Sequence, residues 1–383
     1  MLFSLLPERP LEGGRCLTPA CGLRLKLRPG SRLADCEKSE IAEISSALLR
    51  ILESLRRRGG AGAPDAALAE NHEGREGLES VLRVTFACNQ RCPFCFVPLT
   101  GRGADFSDIE KKLEVLARLG DIRGTLTISG GEPTLDPRLF RILEAAHEKG
   151  FRRFGLQTNG VLLSKPGFIA RLSGLGVLSY MVSFHSHKVS AYDRITGSRG
   201  QFPRAVEGLT CLLRACARDR NIGVTVNVVV NARNYRDLPG LVDFFGDMSA
   251  ALPARRRPMC YFSMLNETGH QKAPSWAVDL SRAAPFVNLA VERCRERGLS
   301  VSPFGGESGF PPCLLSDPSA HAMKRELPQD RVRYAEDFSG EAGGVGRAKR
   351  PACRGCRYNT RCLGVPASYA RLFGLGALRV PSR

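Results

Sequence analysis

Three cysteines in one short segment carry the clearest chemical signal of this 383-residue chain. Cys88, Cys92 and Cys95 lie in the sequence CNQRCPFC, directly after an alternating stretch that predicts a strand. Three thiolates on one loop can bind three irons of a cubane [4Fe–4S] cluster and leave the fourth iron open to a ligand from outside the protein. A zinc ion would need a fourth protein ligand nearby, and no further His, Cys, Asp or Glu lies between Arg91 and Gly103.

A second motif, Gly130-Gly131-Glu132, follows the next predicted strand. Adjacent glycines let a ligand approach the backbone closely, and the carboxylate of Glu132 can accept a hydrogen bond from an ammonium group. Taken alone, the glycines fit an ordinary turn, and the cysteines fit zinc or unligated thiols. The succession of the two motifs, one strand apart, favours one site at the ends of neighbouring strands.

The two motifs together resemble those of the radical S-adenosylmethionine (radical SAM) enzymes, which have an aromatic residue, here Phe94, before the third cysteine. By this resemblance, Cys88, Cys92 and Cys95 hold the cluster, and Gly130, Gly131 and Glu132 hold the methionyl amino group of S-adenosylmethionine. The resemblance further implies that the cofactor chelates the open iron and that one electron cleaves its carbon–sulfur bond. The resulting 5′-deoxyadenosyl radical abstracts hydrogen from a substrate. A reductant such as flavodoxin or ferredoxin is then expected as a partner.

Weaker matches to the same family follow the later strands. The resemblance suggests that these residues contact the cofactor or its ribose and carboxylate groups: Thr158, Asn159, Ser183, Arg194 and Asn227. Each also fits an ordinary turn, strand end or surface ion pair. His185 and His187 flank an expected strand end, where hydrogen-bonded loop histidines are the ordinary interpretation and metal ligation or acid–base catalysis the alternative.

Four further cysteines lie towards the carboxyl terminus: Cys313, Cys353, Cys356 and Cys362. Four thiolates could coordinate one cubane cluster or one zinc ion, and both alternatives stay open. The C-x2-C-x5-C spacing is similar to the SPASM and Twitch extensions of radical SAM enzymes. The full SPASM pattern has another Cys where this chain has Pro366, which favours one auxiliary [4Fe–4S] cluster over two. The arginines around these cysteines would offset the negative charge of the site.

Alternating strand and helix patterns must position these motifs. Six βα units predict a parallel sheet covered by helices, with ligands at the carboxyl ends of its strands. The resemblance, from about Leu82 to Met264, implies a partial (β/α)6 barrel. The predicted organisation is an α/β fold with four parts: an amino-terminal accessory module (1–58) that includes a helix from Ser39, a linker (59–79), the partial barrel (80–298) and an auxiliary cluster domain (299–383).

Composition excludes several classes of protein. A hydrophobic fraction of 43% and a charged fraction of 25% are ordinary for a globular protein. No apolar run reaches the ~18 residues that span a bilayer, and the amino terminus lacks a signal-peptide pattern, so we expect a cytoplasmic protein. Fourteen cysteines then indicate metal or redox chemistry. We expect the remaining ones to be buried or unligated thiols: Cys16, Cys21, Cys36, Cys211, Cys216, Cys260 and Cys294.

The similarity to SPASM and Twitch proteins favours a peptide or protein substrate, as in maturases of ribosomally made peptides. A radical SAM enzyme of small-molecule cofactor or sugar biosynthesis is the first alternative. An RNA-modifying enzyme is favoured only by the net charge of +18, which an acidic peptide or a coding preference for arginine would also explain, and no RNA-binding motif is present. Gly130-Gly131-Glu132 argues against the last alternative, a non-catalytic iron–sulfur protein.

Overall fold

The computed structural model describes the chain in several stretches: residues 79–119, 121–265, 274–306, 310–324, 332–334 and 346–380, with two short strands nearer the amino terminus. The chain divides into two compact units, residues 1–67 and 68–383. In the first unit, strand β1 (Ser4–Leu6) pairs antiparallel with β2 (Arg24–Lys26). The helix expected from Ser39 lies outside the described residues, and so do Cys16, Cys21 and Cys36.

A parallel eight-stranded sheet organises the second unit. Its strands are β3 (Glu79–Thr85), β4 (Thr125–Gly130), β5 (Phe154–Thr158), β6 (Val177–Ser183), β7 (Gly223–Val230), β8 (Met259–Met264), β9 (Ser300–Val301) and β10 (Val332–Tyr334). Their spatial order is β10-β3-β4-β5-β6-β7-β8-β9. The strands β3 to β8 are the six predicted from the sequence, and the described sheet ends at β9 and β10. This arrangement confirms the predicted α/β partial barrel.

Helices follow most of these strands: α1 (Phe106–Arg118), α2 (Leu139–Glu148), α3 (Phe168–Gly174), α4 (Val189–Thr196), α5 (Phe202–Arg218), α6 (Leu238–Met248) and α7 (Leu280–Arg297). Each long helix buries one apolar stripe against the sheet. In α1 that stripe is Ile109, Leu113 and Leu116. The helix α7 begins at Asp279, whose side chain accepts a hydrogen bond from the backbone N–H of Ser281, and it ends at the left-handed Gly298.

The core lies between the sheet and its helices. Strand β7 reads GVTVNVVV and buries five of its eight residues, as expected for a parallel strand covered on both faces. Cys216, Cys260 and Cys294 are buried in this core, as expected, whereas Cys211 is half-buried and packs against it. Within the described residues, no helix has both the length and the apolar character that crossing a membrane requires.

The segment after α7 contributes to the same sheet. Strand β9 pairs with β8, and β10 pairs with β3. It also contains the short helix α8 (Pro318–His321), the antiparallel pair β11 (Arg347–Ala348) and β12 (Val365–Pro366), and the helix α9 (Ala367–Phe373). The hydroxyl of Tyr369 in α9 accepts a 3.1 Å hydrogen bond from the backbone N–H of Leu280, which ties α9 to the start of α7.

Candidate active site

The cysteine loop, residues 88–95, follows β3 at the carboxyl edge of the sheet and is held by α4. The backbone N–H of Arg91 donates a 2.8 Å hydrogen bond to the carbonyl oxygen of Thr196. The amide Nε2 of Gln90 donates a 2.9 Å bond to the hydroxyl of Tyr192, and both of these side chains are buried. A loop fixed by main-chain and side-chain bonds can present its thiols in one arrangement.

The three thiols of this loop lie in a setting that suits an iron–sulfur cluster. Burial raises the pKa of Cys88 to about 11 and also raises the pKa of Cys92 and of Cys95. Such thiols stay protonated unless bound metal supplies positive charge. A cubane binds one thiolate at each of its irons, so three thiols on one loop are a donor set that suits a cluster with one open iron.

The glycine pair brings the second motif against the first. The backbone N–H of Gly131 donates a 2.7 Å bond to the carbonyl of Thr85, and that of Glu132 donates a 2.8 Å bond to the carbonyl of Ala87. A Cβ atom on Gly130 or on Gly131 would collide with these same two carbonyl oxygens, and Gly130 has a φ of +153°. The glycines therefore serve a close contact with the chain's own backbone, whereas the sequence alone suggested contact with a ligand.

The carboxylate of Glu132 is fully buried and accepts four hydrogen bonds. Its Oε1 accepts from the hydroxyl of Thr158 at 2.7 Å and from the hydroxyl and backbone N–H of Thr134 at 2.6 and 3.1 Å. Its Oε2 accepts from the backbone N–H of Asn159 at 2.7 Å. Burial raises the pKa of Glu132, and these bonds act in the opposite direction. The single recorded bond to Oε2 leaves that oxygen capacity to accept another donor.

Asn159 joins the two motifs. Besides the backbone bond to Glu132, its side-chain Nδ2 donates a 2.7 Å hydrogen bond to Oδ1 of Asn89 in the cysteine loop. The ends of β3, β4 and β5 are therefore one hydrogen-bonded unit. Sequence reasoning missed Asn89, Thr134 and Tyr192 as parts of it. Asn89 lies inside the cysteine loop and Thr134 lies two residues after Glu132. The sequence therefore places both residues near the site, but it does not show which groups they contact.

The other expected cofactor contacts are placed less uniformly. Ser183 at the end of β6 lies opposite Asn227 of β7 in the strand register, and both residues are half-buried. The Oδ1 of Asn227 accepts a 2.7 Å hydrogen bond from the hydroxyl of Ser263. Arg194 is exposed on α4 and makes no recorded hydrogen bond or ion pair with another described residue. Roles for these three residues stay predictions.

Phe94 packs in a small apolar cluster beside the cysteine loop, with Ile195 and Leu265. Its ring meets that of His185 edge-on, with 5.4 Å between centroids. The Nδ1 of His185 accepts a 3.3 Å hydrogen bond from the backbone N–H of Val229, and burial lowers the pKa of His185 to about 4. His185 is thus a neutral, hydrogen-bonded residue near the loop, as in the ordinary interpretation of its sequence.

The four carboxyl-terminal cysteines line one small cavity: Cys313, Cys353, Cys356 and Cys362. Burial raises the pKa of Cys313 to about 11, and the other three thiols raise it further. Backbone N–H groups approach two sulfur atoms, from Tyr358 to Cys356 at 3.4 Å and from Gly364 to Cys362 at 3.3 Å. Such N–H···S bonds are one of the ways in which proteins tune iron–sulfur sites.

Comparison with known proteins matches residues 82–245 to the family model of the Radical SAM superfamily. The chain is similar to the PqqA peptide cyclase of Rhodopseudomonas palustris (30% identity over 232 residues, 57% of this chain and 55% of that protein). It is also similar to the Fe-coproporphyrin III synthase of Methanosarcina barkeri (24% over 280 residues, 70% and 64%). It therefore spans about half to two thirds of each of these relatives. Its fold resembles that of Streptococcus suis SuiB bound to S-adenosylmethionine (TM-score 0.52, 17% identity, 90% of this chain and 84% of that chain).

Proposed function

We propose that the protein is a radical SAM enzyme acting on a peptide or protein, because residues 82–245 match the family model of the Radical SAM superfamily. Cys88, Cys92 and Cys95 hold a [4Fe–4S] cluster whose open iron binds S-adenosylmethionine. When bound, these cofactors supply the electron and the 5′-deoxyadenosyl radical that takes a hydrogen atom from the substrate.

One observation supports this proposal most directly: Asn159 bonds both Glu132 and Asn89. A group held beside Glu132 is thereby fixed relative to the cysteine loop. The Oε2 of Glu132 would accept a hydrogen bond from the methionyl ammonium group, and its other oxygen already accepts hydrogen bonds from Thr134 and Thr158. Such preorganisation matters because the radical must form at a fixed, short distance from the substrate hydrogen, with water excluded.

The carboxyl-terminal cysteines hold one auxiliary [4Fe–4S] cluster in this proposal. The support is their shared cavity, together with the backbone N–H groups that approach the sulfur atoms of Cys356 and Cys362. The positive side chains nearby, such as Lys349 lining the cavity, would lower the cost of placing thiolate charge there.

A peptide substrate is supported by the similarity to a protein named PqqA peptide cyclase. A small-molecule substrate is the second candidate, favoured by the similarity to Fe-coproporphyrin III synthase. Transfer of deuterium separates the two. The reconstituted enzyme is incubated with deuterated peptides encoded beside its gene, and separately with a deuterated tetrapyrrole precursor of coproporphyrin, and 5′-deoxyadenosine is analysed by mass spectrometry. Deuterium acquired from the peptide supports the proposal, and deuterium acquired from the tetrapyrrole alone contradicts it.

The radical chemistry is tested by cofactor cleavage. Anaerobically reconstituted protein with dithionite and S-adenosylmethionine should release 5′-deoxyadenosine, measured by liquid chromatography. Cys92→Ala should abolish this release because two thiolates cannot retain the open-iron cluster. Cys211→Ala, on the outer helix α5, is the matched control and should retain it. Undiminished cleavage by the Cys92 variant would show that the cysteine loop has been assigned wrongly.

A further inference from the structure

The segment around the auxiliary cysteines has an extreme charge. Residues 346–380 contain eight Lys and Arg and no Asp or Glu, in a chain that has 56 basic and 38 acidic residues overall. This short segment therefore carries eight of the eighteen net positive charges. Five of its basic side chains are exposed and are called here the basic surface: Lys349, Arg354, Arg357, Arg371 and Arg379.

The basic surface adjoins the four-cysteine cavity. Lys349 and Arg379 line the cavity itself. Arg354 and Arg357 lie on the exposed turn that carries Cys353 and Cys356, both of which are half-buried. A cluster bound by these cysteines would lie beneath this turn and close to solvent.

Within the described part of the chain, no Asp or Glu forms an ion pair with the five residues of the basic surface. Lys349 donates to the carbonyl and the side-chain oxygens of Asn359, at 2.7 and 2.9 Å. Arg357 donates a 2.9 Å hydrogen bond to the hydroxyl of Ser319. Elsewhere the pattern differs: three arginines of α7 pair with Asp or Glu side chains, namely Arg293, Arg295 and Arg297. The basic surface thus keeps its field directed at solvent.

Compensation of the cluster explains only part of this charge. Four thiolates around an oxidised cubane leave a net charge of about −2. The eight basic residues of the segment exceed that amount by a wide margin. The excess charge lies at the surface, where it acts on molecules that approach the cluster.

We propose that the basic surface binds an acidic electron-carrier protein that exchanges one electron with the auxiliary cluster. The reduced carrier loses one electron and the oxidised cluster gains it. This inference rests on the auxiliary cluster of the proposed function and extends it by naming the partner and its docking site. Opposite charges on the two proteins steer their encounter, which is how electrostatics most often contributes to transient complexes.

Two other acidic partners fit this surface less well. RNA recognition uses exposed aromatic rings on which bases stack. In this segment Tyr358 and Tyr369 are buried, and Phe373 is half-buried with its ring against that of Tyr369. A substrate peptide must reach the carboxyl edge of the sheet, where the cysteine loop lies. An electron carrier has only to approach the auxiliary cluster, whose cavity is lined by Lys349 and Arg379 of the basic surface.

Direct binding tests the docking site without depending on catalysis. The reconstituted full chain is titrated with an oxidised acidic flavodoxin in a calorimeter at low salt. Arg354→Glu combined with Arg357→Glu should raise the dissociation constant about tenfold or more. Arg214→Glu combined with Arg220→Glu changes the net charge equally at exposed positions on α5 and the turn after it, and should change the constant less than twofold. Equal losses in the two variants, or no loss in the first, would overturn the proposal.

Electron transfer is measured separately in a chain that retains only the auxiliary cluster, with Cys88, Cys92 and Cys95 all changed to Ala. Bleaching of the cluster absorption by reduced flavodoxin should slow about tenfold or more in the surface variant and should be unchanged with dithionite. If this chain binds no iron, the auxiliary-cluster assignment fails, whatever the calorimetry shows, and the electron-transfer step fails with it. Loss of bulk transfer RNA binding in the surface variant, with flavodoxin binding intact, would assign the surface to nucleic acid instead.

Discussion

The backbone N–H of Asn159 lies 2.7 Å from Oε2 of Glu132 and donates a hydrogen bond to it. This bond locks the loop that follows β4 to the end of β5. Glu132 cannot turn outward without also losing its bonds from Thr134 and Thr158. The second motif is therefore a rigid part of the site rather than a flexible arm that closes on a ligand.

Both carboxylate oxygens of Glu132 accept hydrogen bonds. Glu132→Gln should destabilise the protein because its amide NH2 group, itself a donor, would replace one of these buried acceptors. We expect a loss of about 1–3 kcal/mol in the free energy of unfolding, measured by urea titration of the apoprotein. Glu148→Gln at the exposed end of α2 is the matched control and should change stability by less than about 0.5 kcal/mol. Similar losses in both variants would mean that the four hydrogen bonds to Glu132 add nothing to the free energy of unfolding beyond what an exposed Glu contributes.

Gly131→Ala should displace the cysteine loop, because its new Cβ meets the carbonyl oxygen of Ala87, which belongs to the backbone and cannot rotate away. We expect a cost of about 1–3 kcal/mol in stability and a reduced iron content after reconstitution of a chain that lacks the auxiliary cysteines. Gly174→Ala in α3 meets no atom within 4 Å and should be neutral or slightly stabilising. Full iron loading of the Gly131 variant would refute the close contact.

The auxiliary site should hold iron rather than zinc. With Cys88, Cys92 and Cys95 all changed to Ala, we expect about four irons per chain by elemental analysis. Adding Cys353→Ala should remove them, because this residue is one of the four that line the cavity. Adding Cys216→Ala, in the core of α5, is the control and should leave the iron in place. Stoichiometric zinc without iron in the first variant is the outcome that contradicts this prediction.

His185 should make the apoprotein less stable in acid. Burial lowers its pKa in the folded state to about 4, whereas an unfolded histidine has a pKa of about 6.5. Between pH 7 and pH 5 the unfolded chain therefore binds a proton that the folded chain does not, and folding loses about 2 kcal/mol. His185→Gln can still accept a hydrogen bond from Val229 and should lose less stability over this range in urea titrations. Identical pH dependence of the two proteins would exclude this contribution.

The sequence predicts the six central strands and their long helices because alternating and 3.6-residue patterns record burial directly. Strand β7, for example, is the valine-rich run GVTVNVVV. The sequence also places the cysteine loop and the second motif at strand ends, where the structure has them. The three-residue β10 was missed because so short a strand leaves no period to detect.

The interactions that connect the motifs could not be read from the chain. The need for glycine at position 131 arises from Ala87, and the bond between Asn159 and Asn89 joins residues far apart in sequence. Both depend on tertiary placement of backbone segments that no local pattern encodes. Arg194 illustrates the converse: its charge made it a candidate partner for the cofactor carboxylate, and the structure places it on an exposed face of α4.

The pairing of β10 with β3 gives the molecule a late step in its assembly. Strand β3 ends at Thr85 and its partner begins at Val332, so a ribosome adding ~5–20 residues per second needs roughly 10–50 s to pass from one to the other. During that interval the edge of β3 that β10 will cover is unpaired, and its backbone N–H and C=O groups can hydrogen-bond to a strand of another chain. The high sequence separation of this contact also slows its formation in refolding. Nascent chains are thus most vulnerable to aggregation, and most dependent on chaperones, until the last strand of the sheet has been synthesised.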